Sequence, residues 1–276
     1  MGKYKRSERT VMLSKRLLEN PNKIYPLKEF AKDMGVAKSS MSEDIKLISN
    51  LFKEKKFGEI ETTYGALGGV RYKPYTNQEG SKEILDNLKE VLQDSNRVLP
   101  GGYLYYSDVI YNPQIVEKLG LLFATKYKDE KIDYVLTIET KGIPIAMATA
   151  KYLDANVVVA RRENRVTEGP VTTINYISGS SRRIQAMSLN KRAMQPGKNV
   201  LILDDFMKAG GTAKGLSELV KEYNCILQGI GVIIDTEKPR KKLVDEYYYL
   251  LKLKNINELK KEISMSTNKV IEDYKP

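Results

Sequence analysis

The chain has 276 residues, 41% of them apolar, and a formal charge of +11. That length supports one large or two modest domains around a substantial core, and the charge favours a polyanionic partner. With no histidine and a single cysteine, Cys225, the composition excludes Ser-His-Asp and Cys-His nucleophile systems, intramolecular disulfides and cysteine-pair zinc sites.

A reducing, cytoplasmic setting is expected, with no resident metal site. The opening Met-Gly-Lys-Tyr-Lys-Arg-Ser-Glu-Arg is basic but precedes no apolar run, and no window is apolar enough to span a membrane. The charge is uneven. Residues 1–73 carry 16 Lys/Arg against 9 Asp/Glu, whereas the remaining 203 carry 30 against 26. RNA-binding proteins share such a bias, so charge alone does not name the polyanion.

From Arg6 to Asn20, Val11, Leu13, Leu17 and Leu18 recur at helical spacing, and Asn20-Pro21-Asn22 ends the run. Pro26 opens a short second helix with Leu27, Phe30, Ala31 and Met34 on one face, closed by Gly35. Ser40-Met-Ser-Glu43 reads as a capping box for a third helix, with Met41, Ile45, Ile48, Leu51 and Phe52 inward. Its opening face offers Lys38, Ser39, Ser40, Ser42 and Lys46. Two short strands follow, around Phe57–Tyr64 and Val70–Tyr75, with glycines between them.

Helix, short helix, turn, helix and a two-stranded wing make a winged helix-turn-helix, residues 1–75, with the third helix in the position that enters a major groove. The DNA-facing candidates are Lys3, Lys5, Arg6 and Arg9 at the start, the third-helix set, and Arg71 and Lys73 on the basic face of the wing. A small packing or dimerisation module with a solvated basic face is the alternative. Residues 76–97 form a linker helix, or the first helix of a second domain over 76–276, with Ile84, Leu85, Leu88, Val91 and Leu92 as its stripe. The run Leu99–Asp108 is rich in tyrosine and glycine; it offers either an aromatic wall for a base or tyrosines packed at a domain seam.

Extended and helical patterns then alternate: helix 113–128, strand 134–138, helix 142–153, strand 157–160. This is a βαβ succession implying a central parallel sheet. Residues 161–192 are irregular and arginine-rich, including Arg161, Arg162, Arg165, Arg182 and Arg183, with Ser178–Ser181 at an apparent hairpin tip. Val200–Leu203 is apolar on both faces, as in a covered central strand. Asp204 and Asp205 close it, and Phe206-Met-Lys-Ala-Gly-Gly-Thr212 turns through glycines into a helix from Ala213 to Tyr223. Ligands bind at such carboxyl edges. Loop amides at a helix start suit phosphate. Further on, Leu227–Ile234 is a strand, Tyr247–Leu253 an edge strand, and the lysine-rich tail a solvated helix.

The run of four apolar residues, Asp-Asp and Gly-Gly-Thr resembles the signature of type I phosphoribosyltransferases, which bind 5-phosphoribosyl-1-pyrophosphate (PRPP). The resemblance implies Asp204 and Asp205 on the ribose hydroxyls, with Phe206 beside them, Lys208, Ala209, Gly210, Gly211 and Thr212 on the 5′-phosphate, and Thr140, Lys141 and Gly142 on the pyrophosphate. Together with Ala37–Asp44, Pro100–Tyr103 and Val166–Gly169, the chain resembles the purine operon repressors of Gram-positive bacteria over nearly its full length. That family joins a winged-helix domain to a phosphoribosyltransferase-like domain without known turnover. The resemblance implies a homodimer on double-stranded operator DNA, with PRPP, accompanied by Mg2+, as the inducer and no obligatory cofactor. A guanine alarmone is a second candidate for the pocket, with Tyr103 and Phe206 as stacking partners. The rival reading is an active purine phosphoribosyltransferase with a nucleic-acid-binding extension.

Overall fold

The computed structural model describes residues 4–63, 65, 68–163, 169–177 and 183–268. The first three helices are α1 (Arg6–Glu19), α2 (Leu27–Asp33) and α3 (Lys38–Glu54), followed by the antiparallel pair β1 (Glu59–Thr63) and β2 (Gly69–Lys73). Met41, Ile45, Ile48 and Phe52 on α3 meet Leu13, Leu17 and Phe30 in a core of their own, sealed by Ile60, Val70 and Tyr72 of the wing. Helical spacing of three and four residues selects that set. Leu51 falls off the stripe and is exposed, as are Val11 and Leu18 of α1, against expectation. Tyr25 adds a one-residue bridge to Val70, with N–H to O distances of 2.9 Å both ways.

The expected capping box at Ser40 is not formed. Helix α3 begins earlier, with Ala37 at its N-cap, so Ser40 already lies within the first turn. A carboxylate supplies a different tie: Asp44, 1% exposed, receives Arg6 Nε at 3.1 Å and Arg9 Nε at 2.7 Å, fastening α1 to α3.

Helix α4 (Gln78–Leu92) is capped by Asn77, whose side chain accepts from the Gly80 N–H. It buries Leu85, Leu88 and Leu92 in the core of the second domain. After it come the two-residue strands β3 (Val98–Leu99) and β4 (Tyr103–Leu104), the short helix α5 (Ser107–Ile110) and α6 (Pro113–Lys126). The units β5 (Tyr134–Ile138), α7 (Gly142–Leu153) and β6 (Asn156–Ala160) lead to the hairpin β7 (Val171–Ile177) and β8 (Ile184–Asn190). The chain continues through β9 (Asn199–Met207), α8 (Gly211–Glu222), β10 (Ile226–Thr236), β11 (Tyr248–Asn257) and β12 (Glu262–Thr267).

Six strands form the central sheet in the order β12-β11-β10-β9-β5-β6, all parallel except β12. Along β9, Leu201 and Leu203 face the helices α4, α6 and α7, whereas Val200 and Ile202 face α8 and the β7–β8 hairpin. All four are fully buried. Each such side chain contributes about 1.5–3 kcal/mol on leaving water, which explains the unbroken apolar run.

Two expectations for the carboxyl-terminal part are corrected. Strand β11 is not an edge, because β12 covers it, and the lysine-rich tail is not helical up to Asn268. Ile263 and Met265 alternate inward along β12, and a period of two selects a strand. Residues 269–276 lie outside the described residues.

Candidate functional site

Strand β5 pairs with β9 only from Tyr134–Val200 to Leu136–Ile202, while β10 follows β9 to Met207. The sheet therefore opens between β5 and β9 beyond that point. It is also where the winding reverses, since β5 leads to β6 on one side and β9 to β10 on the other. A cleft of about 1040 Å³ occupies the opening. Crevices at such reversals are where open α/β sheets take ligands.

Asp204, Asp205, Phe206, Lys208, Ala209, Gly210, Gly211, Thr212, Thr140, Lys141 and Tyr103 all line this cleft. Gly142 lies just behind. A Cβ there would sit 2.1 Å from Thr137 Oγ1 and 3.2 Å from Asp204 Oδ1, so only glycine lets the start of α7 approach the carboxylate. The peptide joining Glu139 to Thr140 is cis. Gly210 adopts φ +82, the left-handed conformation that sends the loop into α8. That helix begins at Gly211, placing Thr212 inside its first turn.

Asp204 and Asp205 are both more than nine-tenths buried. Burial pushes the Asp204 carboxyl well above the usual carboxylate range, and the neighbouring Asp205 pushes it further. The Asp205 N–H donates to Asp204 Oδ1 at 2.9 Å. Asp205 in turn accepts at Oδ2 from the Tyr106 hydroxyl at 2.7 Å. Burial, reinforced by Asp205, holds that phenol well above its ordinary pKa and keeps it protonated. Two adjoining carboxylates aimed into a cleft provide paired acceptors for a vicinal diol, and the loop amides and Lys208 provide donors for an anion.

Tyr106 was not apparent in the sequence, where Tyr103 drew attention. Phe206 stacks on Tyr106, with centroids 5.9 Å apart, and Lys141 Nζ lies 4.1 Å from the same ring. Tyr103 stands at the rim, 70% exposed. Arg162, Glu163 and Gln185 complete the wall nearest the hairpin. Arg161 is turned to Glu139 at 3.0 Å. Arg165, Arg182 and the Ser178–Ser181 tip lie outside the described residues.

On the amino-terminal domain, Lys38, Ser39, Ser42 and Lys46 share the exposed side of α3, with Ser40 half-buried. Lys5 caps α1 at an exposed position. Other members of the basic set have structural partners. Arg9 is almost enclosed and is held by Asp44 and the Tyr4 carbonyl, and Arg6 shares the same carboxylate. Arg71 pairs with Glu61 across the wing at close range. Lys73 turns to Asp129 of the second domain at 3.4 Å. The wing's basic face is therefore not a free row of cations: Arg71 is paired with Glu61 within the wing and Lys73 with Asp129 of the second domain. Lys3 lies outside the described residues. Among the described residues, no cluster of three or more His, Cys, Asp or Glu is placed to hold a metal, and no helix is long and apolar enough to cross a membrane.

A doubly wound sheet with an acidic pair and a glycine loop at its switch point, joined to a winged helix, defines a phosphoribosyltransferase-fold protein with a nucleic-acid-binding type of amino-terminal domain. Residues 5–74 match the family described as bacterial purine repressor, N-terminal, and residues 106–265 match the phosphoribosyl transferase domain. The purine biosynthesis transcriptional repressor PurR of Bacillus subtilis is 45% identical over 273 residues, covering 99% of this chain and 96% of that protein. The purine biosynthesis transcriptional activator PurR of Lactococcus lactis is 42% identical, covering 98% and 99%. The adenine phosphoribosyltransferase of Thermoanaerobacter pseudethanolicus superposes with a TM-score of 0.52 at 19% identity, over 61% of this chain and 99% of the enzyme. The chain belongs to the PurR family of purine biosynthesis regulators.

Proposed function

We propose that this chain is a DNA-binding transcriptional repressor of purine biosynthesis genes whose second domain senses PRPP, with Mg2+, rather than turning it over. The observation that carries the reading is the union, in one chain similar end to end to such regulators, of an exposed helix-turn-helix face and the acidic-pair cleft. The sign adopted is that of the Bacillus relative. Asp204 and Asp205 accept from the ribose 2′- and 3′-hydroxyls, the 208–212 loop holds the 5′-phosphate, and Thr140, Lys141 and Gly142 take the pyrophosphate. The protein acts in the cytoplasm as a homodimer on operator DNA, through Lys5 and the exposed face of α3. A guanine alarmone carrying a pyrophosphate is a second ligand for the cleft; calorimetry showing neither binding nor competition with PRPP removes it.

The mechanism is a linkage. If PRPP binds free protein more tightly than DNA-bound protein, DNA weakens PRPP binding by the same factor. High PRPP then releases operators. The test is a titration of promoter DNA from purine-synthesis genes at fixed salt, with and without Mg-PRPP, using the parent and Asp204→Ala. Binding that PRPP weakens in the parent but not in the variant supports the reading. Binding indifferent to PRPP, or pyrophosphate release from PRPP with adenine, guanine, xanthine or hypoxanthine, overturns it in favour of an enzyme.

A further inference from the structure

Packed against the 208–212 loop lies a buried ion cluster, next to Thr236, which itself lines the cleft. Asp235, at the end of β10, is fully buried; Lys242, on the following loop, has a side chain only 4% exposed. Lys242 Nζ lies 2.9 Å from Asp235 Oδ1. The other carboxylate oxygen receives Lys252 Nζ at 3.1 Å and the Tyr247 hydroxyl at 3.0 Å. The hydrogen bonds of the Lys242 ammonium go to residues 208 and 236. One reaches the Thr236 carbonyl at 2.6 Å, and another the carbonyl of Lys208, within the loop itself. The Thr236 hydroxyl donates to the Lys238 carbonyl at 2.7 Å and lies 3.3 Å from that same Lys208 oxygen. The next carbonyl, Ala209, accepts from the Leu243 N–H at 2.8 Å.

Two consecutive loop carbonyls are thus held by one segment, 236–243. In a planar trans peptide the C=O of one residue and the N–H of the next point in opposite directions. Holding the carbonyls of Lys208 and Ala209 therefore turns the N–H groups of Ala209 and Gly210, both residues that line the cleft, away from that segment. Two such successive amides at the start of α8 form an anion-binding concavity. An ammonium so deeply buried is costly unless every donor is used, and here its partners include the loop.

We propose that Lys242, anchored by Asp235, is a positioning residue that sets the anion-binding orientation of the 208–212 loop without itself touching ligand. For the identity of the ligand this rests on the PRPP reading above; the loop geometry does not depend on it.

The test uses calorimetry on the full chain with PRPP, ribose 5-phosphate and ribose 1-phosphate, the last two differing only in which end of the sugar carries the charge. Lys242→Met keeps the volume and leaves Asp235 with Lys252 and Tyr247. It should weaken PRPP and ribose 5-phosphate about tenfold or more, while ribose 1-phosphate changes less than about twofold, as expected for losing oriented donors to one anion. Asp235→Asn, which keeps the shape but removes the charge anchoring Lys242, should shift ribose 5-phosphate in the same direction by about threefold, and decides the matter alone if Lys242→Met does not fold. Equal losses for both sugar phosphates, or no loss for either, overturn the proposal. If the parent binds ribose 5-phosphate but not PRPP, the functional reading fails while the sugar-phosphate comparison still decides the role of Lys242.

Discussion

The acidic-pair cleft and the basic surface of the winged helix both rest on charged residues, yet the fold treats their charges differently. In the cleft, Asp204 and Asp205 are held in place as part of the buried strand β9, and Lys242 orients the adjoining loop through the Lys208 carbonyl. On the winged helix, half-buried cations are drawn into pairs with nearby carboxylates, and the open positions belong to α3. A ligand enclosed by protein is recognised by groups the fold has already oriented. A polyanionic duplex is met by whichever cations the fold has left over.

The largest expected effect lies on the enclosed side. Asp205→Ala removes an acceptor for two charge-assisted hydrogen bonds and should weaken PRPP by about 100-fold, with DNA affinity in its absence unchanged. Calorimetry and a gel-shift titration on the same preparation check both halves. A loss of DNA binding would show that the two regions are not separable.

Next in size is the tie between α1 and α3. Arg9→Ala leaves Asp44 buried with only Arg6, a pair more than half exposed on the arginine side. It should destabilise the amino-terminal domain by about 2 kcal/mol, read as a lower denaturant midpoint at unchanged slope. A surface arginine whose task was phosphate binding would leave the midpoint where it is.

Asp204 supplies the third contrast, with the opposite sign for stability. Its folded pKa is raised above the unfolded value, so its contribution to stability is full below the ordinary carboxylate range and is lost as pH rises through the raised value. At neutral pH burial of this carboxyl is a cost, and Asp204→Asn should stabilise the fold by about 1 kcal/mol while weakening PRPP about tenfold. In the parent, PRPP affinity should fall as pH falls through that raised value, because a protonated carboxyl gives up an acceptor. The phosphates of the ligand titrate too, near pH 6. The diagnostic is therefore the difference between the PRPP-affinity profiles of the parent and Asp204→Asn across pH, and identical profiles would remove Asp204 from the site.

What the sequence displayed of this arrangement follows the same division. Val200–Leu203 could be read because burial on both faces demands an unbroken apolar run, and the loop because glycines and paired acids stand together in the chain. Tyr106 and Lys242 could not, since each meets its partner only after the sheet is assembled: Tyr106 reaches Asp205 from 99 residues away, and Lys242 folds back on Lys208 across 34. Ser40 misled because its spacing to Glu43 satisfies a capping box, although Ala37 supplies the extended backbone that starts α3. The tail misled because its lysines drew the eye from the alternation of Ile263 and Met265.

The smallest effect sharpens the comparison most. Lys46 on α3 is exposed, whereas Lys73 on the wing is 16% exposed at its side chain and turned to Asp129 of the second domain. Both carry one charge, and both belonged to the basic set expected from sequence. A lysine on a phosphate releases roughly one counterion, so losing it lowers the slope of log affinity against log salt by about 0.9. Lys46→Ala should show that reduction, uniformly across operator sequences, with only a several-fold loss of affinity at moderate salt. Lys73→Ala should leave the slope alone and alter the domain contact instead. Since the net charge lost is the same, a difference between the two slopes reports position rather than overall electrostatics. Equal slopes would mean that the duplex reaches the wing and competes with Asp129 for Lys73. Binding of DNA would then loosen a contact between the domains, bringing the wing into the linkage between DNA and the cleft.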